Sequence, residues 1–174
     1  MAKITYLTPS LATASQLEAK DFAQIAKMGF KSVISNRPDA EEGVLISSKD
    51  ASAEAREAGL KYAYVPASNH DLFDEDLLDT FEKALCQMPG PILVYCRSGT
   101  RSSILWAMVA ARHIAVDVVL RVLADAGLDL AFLEDELIEQ SERRFPDRPA
   151  PATVRSGNLV DCGRVREHAL AAAG

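Results

Sequence analysis

Cysteine is scarce in this sequence: Cys86, Cys96 and Cys162 are the only three in 174 residues. An odd, widely spaced set is a poor disulfide framework. No Cys-x-x-Cys pair and no close Cys/His cluster occurs, so no metal site is expected. Histidine is equally sparse and scattered, at His70, His113 and His168. No apolar run approaches the roughly 18 residues of a membrane span. The start, Met1-Ala2-Lys3-Ile4-Thr5, lacks the charged-then-apolar layout of a signal peptide, so a cytoplasmic protein is expected. Basic charge is in deficit, with 19 Lys and Arg against 25 Asp and Glu, a net charge of −6. That opposes general nucleic-acid binding, which needs a basic face. An anionic substrate must therefore be held by a local positive site.

The hydrophobic fraction of 48% suits one compact core without staples. Strand-like and helix-like segments alternate. Strands are expected at 4–7, 11–14, 32–35, 61–65 and 92–95, and helices at 17–28, 49–58, 74–88, 103–113, 117–126 and 130–144. Glycines at 29 and 59 close two of the helices. Leu77, Leu78, Phe81, Leu85 and Met88 form the apolar stripe of the clearest one. This alternation implies an α/β fold with a largely parallel central sheet flanked by helices. After Phe145 the composition turns to proline, Asp and Arg. A catalytic domain over 1–145 and a proline-containing extension over 146–174 are expected.

The chemistry is concentrated in Val94-Tyr95-Cys96-Arg97-Ser98-Gly99-Thr100-Arg101-Ser102-Ser103. A strand runs into Cys-x4-Arg with an internal glycine, then into a helix. Sites in parallel sheets form at the carboxyl ends of strands. A loop entering a helix presents unpaired N–H groups, which bind anions and stabilise a thiolate. Arg101 adds a forked permanent cation and Arg97 a second one. Together they are expected to depress the Cys96 pKa and make it nucleophilic. Gly99 lets the loop curl, Ser98 and Thr100 complete the cradle, and Ser102 is a candidate donor to the sulfur. A core cysteine does not need two arginines and a glycine directly after it.

Cys96–Ser102 resembles a rhodanese active-site loop, in which the cysteine carries sulfane sulfur as a persulfide. Gly29-Phe30-Lys31-Ser32-Val33-Ile34-Ser35-Asn36-Arg37-Pro38-Asp39-Ala40-Glu41 and the Tyr95–Ser102 block together resemble the beta-lactamase-hydrolase-like protein, phosphatase-like domain family. That family is similar in layout to dual-specificity and tyrosine phosphatases, and the resemblance covers roughly residues 3–140. It implies no cofactor. It implies a small anionic or thiol substrate, and a setting beside persulfide-oxidising metallo-β-lactamase-fold enzymes. The chain has no His-x-His-x-Asp-His signature, so such a partner would be a separate protein.

Two chemistries compete within the resemblance. Tyrosine and dual-specificity phosphatases use Cys-x5-Arg, whereas here Ser102 stands at that spacing and the arginine comes one place earlier. A tighter cradle is expected, better matched to a persulfide than to a phosphoryl group with three equatorial oxygens. The general acid of the phosphatase pattern falls on Asn69, whose amide has no proton to give, leaving Asp71 or His70 to substitute. Transfer between thiols needs no such acid, because a thiolate leaves readily. Sulfur transfer is the leading expectation, phosphate hydrolysis the alternative, and a non-catalytic anion-binding module the third. Arg37, just past a strand end, is either a second anion-binding arginine or a turn residue paired with Asp39 or Glu41. Asp39, Glu41 and Glu42 read as a solvated turn, Trp106 and Met108 as core, and Cys162 as a bystander thiol.

Overall fold

The computed structural model describes residues 1–144. The extension expected over 146–174, with Cys162, lies outside the described residues. Five strands form one sheet in the order β1-β2-β5-β3-β4: β1 (Ile4–Thr8), β2 (Leu11–Ala14), β3 (Ser32–Ser35), β4 (Lys61–Tyr64) and β5 (Ile92–Tyr95). Only the edge pair β1/β2 is antiparallel; β2/β5, β5/β3 and β3/β4 are parallel. The expected α/β architecture is therefore the observed one.

The period-2 alternation of β5 sorts its side chains between two cores. Ile92 and Val94 face the larger core, built with the helices α3 (Glu75–Gln87), α4 (Thr100–Ala111), α5 (Val116–Asp125) and α6 (Glu134–Arg144). Leu93 and Tyr95 face the smaller core, which is covered by α1 (Ala19–Lys27) and α2 (Ser48–Glu57). A short 3-10 turn over Ala131–Leu133 precedes α6. Asp74 caps α3, its carboxylate accepting from Leu77 N at 3.0 Å.

Helix α4 runs through the interior, with every residue from Arg101 to Ala111 buried. Trp106 and Met108 belong to the core, as expected. The sequence pattern starts this helix at Ser103, but it begins three residues earlier, at Thr100. Its first turn is polar; Thr100 is exposed, but Arg101, Ser102 and Ser103 are buried against strand ends. At its other end Arg112, 2% exposed, donates to Glu75, Asp79, Glu82 and Gln140. A buried guanidinium persists only with such partners, and here they tie α3, α4 and α6 together.

Candidate active site

The carboxyl ends of β5, β3 and β4 lie side by side, and the loops leaving them meet at Cys96. Cys96 follows β5 directly and has no exposed surface. A ligand therefore reaches its sulfur only when a neighbouring side chain moves. The loop curls back at once: Gly99 N donates to Cys96 Sγ at 3.2 Å. This is the anion-directed N–H that a strand–loop–helix motif provides.

Gly99 has to be glycine for two reasons. Its φ is +96°, and a Cβ placed on it would stand 3.3 Å from Ala14 O at the end of β2. Gly99→Ala is expected to lower stability by roughly 1–3 kcal/mol and to swing the N–H off the sulfur. Thermal or denaturant unfolding together with the Cys96 alkylation rate checks both effects.

Asn36, at the end of β3, is the joint of the site. Its Nδ2 donates to Val65 O at 2.8 Å, and its backbone N donates to Tyr95 O at 2.7 Å. Its Oδ1 accepts from Ser102 Oγ at 3.0 Å, and its carbonyl accepts from Ala67 N at 3.0 Å. One buried side chain thus joins the ends of β3, β4 and α4. Ser102 is committed to Asn36, which corrects the expectation that it donates to the sulfur. Ser103 Oγ in turn bonds Thr13 Oγ1 and Gly99 O, each at 3.0 Å, holding the loop to β2. Asn36→Ala leaves a buried carbonyl and a buried hydroxyl unsatisfied and is expected to cost about 2–4 kcal/mol of folding stability, read from denaturant unfolding.

Arg101 is 7% exposed and sits in the first turn of α4. Its Nη1 donates to Ala67 O at 2.6 Å, in the loop after β4. Nη1 and Nη2 also grip Glu41 as a two-pronged fork, at 2.5 and 2.8 Å. Burial acts to lower the pKa of Arg101, but Glu41 and the nearby Cys96 outweigh it and raise the value. Arg37 is 3% exposed; its Nη2 donates to Glu42 O at 2.8 Å, and its Nη1 lies 3.4 Å from Glu41 Oε2.

Glu41 is thus no solvated turn residue. Its carboxylate is the common partner of two buried arginines. Its pKa is lowered, first by the hydrogen bond from Arg101; burial is the next largest effect and acts the other way, and the charges of Arg101, Arg37 and Arg97 lower it further. A lowered folded pKa stabilises above the ordinary carboxylate value, and that stabilisation is lost as pH falls through the folded value. The Glu41–Arg101 pair is therefore intact at neutral and mildly acid pH. Asp39, by contrast, reaches the start of α2 and accepts from Ser48 N and Ser48 Oγ at 2.8 and 2.6 Å.

The remaining candidates divide. Arg97, Ser98 and Thr100 are exposed on the rim of the loop, with Ser98 Oγ bonded to Thr100 Oγ1 at 3.1 Å. His70 and Asn69 are exposed in the loop after β4. Asp71 is half-buried, and its Oδ1 has no hydrogen-bond partner among the described residues. No group of metal-ligating side chains occurs among the described residues. Glu41 and Asn36 are the site residues that sequence reasoning missed. The pairing of Glu41 with Arg101 spans 60 residues, and no local pattern announces it.

A family model for the phosphatase-like domain of beta-lactamase hydrolase-like proteins matches residues 3–113. The chain belongs to that family. A beta-lactamase hydrolase-like protein of Xylella fastidiosa (strain Temecula1) is 35% identical over 106 residues, which is 61% of this chain and 24% of that protein. The chain spans about a quarter of the length of the curated relative it matches. Among solved structures, a candidate phosphatase from Neisseria meningitidis Z2491 is similar at 32% identity and a TM-score of 0.68, covering 79% of this chain and 97% of that one. The catalytic core of the yeast PP-IP phosphatase Siw14 superposes with a TM-score of 0.58 at 11% identity, covering 82% and 88%, and shows the shared fold. The phosphatase-like domain thus has a dual-specificity/tyrosine-phosphatase-like fold, as the resemblance implies. These likenesses favour phosphoryl chemistry over sulfur transfer. No described helix is long and apolar enough to cross a membrane.

Proposed function

We propose that this phosphatase-like domain is a cysteine-dependent sulfurtransferase that carries sulfane sulfur as a Cys96 persulfide. The observation that carries the reading is the direction from which the arginine comes. Residue 102, where a Cys-x5-Arg loop would place its arginine, is a wholly buried serine bonded to Asn36. Arg101 leaves the helix about 100° away from it. There it is engaged by Glu41 and Ala67 O rather than left open as a three-oxygen phosphoryl cradle.

In the proposed reaction the Cys96 thiolate attacks the outer sulfur of a donor R–S–SH. The Cys96–sulfur bond forms, the donor S–S bond breaks, and RS⁻ leaves with the bonding pair. The Gly99 N–H and the Arg101 cation hold the persulfide charge. An acceptor thiolate then attacks the outer sulfur, forms R′–S–SH and returns Cys96 as thiolate. Both steps are thiol–disulfide exchanges, so neither needs a general acid. The exposed rim cation Arg97, with Ser98 and Thr100, guides the small anionic or thiol substrate inward, toward the buried Arg37 and Arg101. A separate metallo-β-lactamase-fold enzyme that oxidises the persulfide product is part of this reading.

One observation favours the phosphatase reading beside the family likeness. Asp71 carries a buried carboxylate oxygen, unpartnered among the described residues, in the loop whose Ala67 carbonyl binds Arg101. That loop supplies the general acid in the phosphatase pattern, and here Asp71 would protonate the leaving alcohol of a phosphocysteine-forming step. A paired assay separates the two. Turnover of glutathione persulfide with a thiol acceptor, without aryl phosphate hydrolysis, is the expected result. Aryl phosphate hydrolysis that depends on Cys96 and falls in Asp71→Asn, with no sulfur transfer, overturns the reading.

A further inference from the structure

The mechanism uses Arg101 and Cys96 but gives no role to the carboxylate between the arginines. Glu41 binds both arms of the Arg101 fork and lies 3.4 Å from Arg37 Nη1. Arg37 is 3% exposed, and neither its Nε nor its Nη1 has a hydrogen-bond partner among the described residues. A buried guanidinium with two unfilled donors is costly and points to a site for negative charge. Glu41 occupies that site from within the chain. Its side chain is 30% exposed, so it closes the outer end of the pair rather than lying deep in the core.

We propose that Glu41 is a specificity-determining residue that sets the charge of the anion admitted to Cys96, favouring monoanions over dianions. The argument is a charge count. The buried cations are Arg101 and Arg37, and Glu41 already offsets one of their two charges. An incoming group must share Arg101 with Glu41, and its repulsion from Glu41 scales with its own charge. A persulfide group, neutral as R–S–SH or singly charged, meets this repulsion at most once; thiosulfate or a dianionic phosphate ester meets it twice. Low charge at the reacting group is therefore favoured, an organic persulfide over thiosulfate among sulfur donors. Arg97 is the other cation whose charge reaches Glu41, and as an exposed residue it is strongly screened. This inference rests on reading the Cys96 loop as an anion site and not on which group is transferred.

The test uses inorganic phosphate as the probe, because it passes from monoanion to dianion between about pH 5.5 and about pH 8. Glu41 stays ionised over that range. Phosphate affinity is measured by calorimetry, or by protection of Cys96 from alkylation, in the wild type and in Glu41→Gln. Each wild-type-to-variant ratio is taken at one pH. Removing one charge roughly 4–5 Å away is expected to raise monoanion affinity about fivefold and dianion affinity by about the square of that, roughly twenty-five-fold. Glu41→Ser, a smaller neutral residue, is expected to give the same pattern should the glutamine variant fold poorly. Glu42→Gln, on an exposed neighbour, is expected to change neither affinity. Equal gains at the two pH values, no gain, or the same gain in Glu42→Gln would overturn the proposal. Sulfur transfer is read by adduct mass and this inference by anion affinity, so either can fail alone.

Discussion

Cys96→Ser is expected to eliminate persulfide formation and to reduce turnover by on the order of 10³–10⁶-fold, as removal of a covalent nucleophile does. A serine hydroxyl in this cradle has the Gly99 N–H as a donor, but it is not ionised near neutral pH and cannot hold sulfane sulfur as a thiol does. The fold should survive. Cys96 is wholly buried but small, and serine is its closest replacement in volume. Unfolding and activity measured on the same preparation separate the two effects. Loss of turnover with stability within about 2 kcal/mol of wild type is expected. Retained turnover in Cys96→Ser removes the residue from the mechanism under both readings.

Arg101→Ala is the second large effect, and it reaches both stability and chemistry. The substitution strips Ala67 O of its donor and leaves Glu41 facing only Arg37 at 3.4 Å. Breaking a buried ion pair by removing one partner costs about 3–5 kcal/mol. Glu41 is 30% exposed, so solvent screens part of this, and about 2–3 kcal/mol is expected here. Transfer is expected to fall about 10²–10³-fold, because the cation that balances the charge on the Cys96 adduct is gone. Arg101→Lys keeps the charge but not the fork, and cannot serve Glu41 and Ala67 O together. It is expected to fall between the wild type and Arg101→Ala in kcat/KM. Activity equal to wild type in Arg101→Lys would show that charge alone matters and that the forked contact with Glu41 does not.

The elements were legible because their signals are local. Ile92-Leu93-Val94-Tyr95 is a short apolar run that follows Pro89-Gly90-Pro91, and glycines at 29 and 59, with positive φ, mark helix ends. Cys96 and Arg101 were legible because their chemistry lies within six consecutive residues. The start of α4 was misread because Thr100, Arg101 and Ser102 are polar, and a polar run before an apolar one looks like loop. Thr100 is exposed and bonds Ser98, while Arg101 and Ser102 are satisfied by Asn36, Glu41 and Ala67, which arrive from β3 and β4. Glu41 and Arg112 were hidden for the same reason. A glutamate in a Pro-Asp-Ala-Glu-Glu-Gly turn looks solvated, and an arginine at the end of an apolar helix looks like a surface cap. Only the tertiary fold brings buried partners to them.

The most direct measurement is the mass of the Cys96 peptide after the reduced protein meets glutathione persulfide or thiosulfate. The expected result is a gain of one sulfur atom confined to the Cys96 peptide, larger with the organic persulfide and discharged by added thiol. An unmodified Cys96 with either donor, together with a phosphorylated Cys96 trapped from an aryl phosphate, would contradict sulfur transfer and establish this domain as a phosphatase.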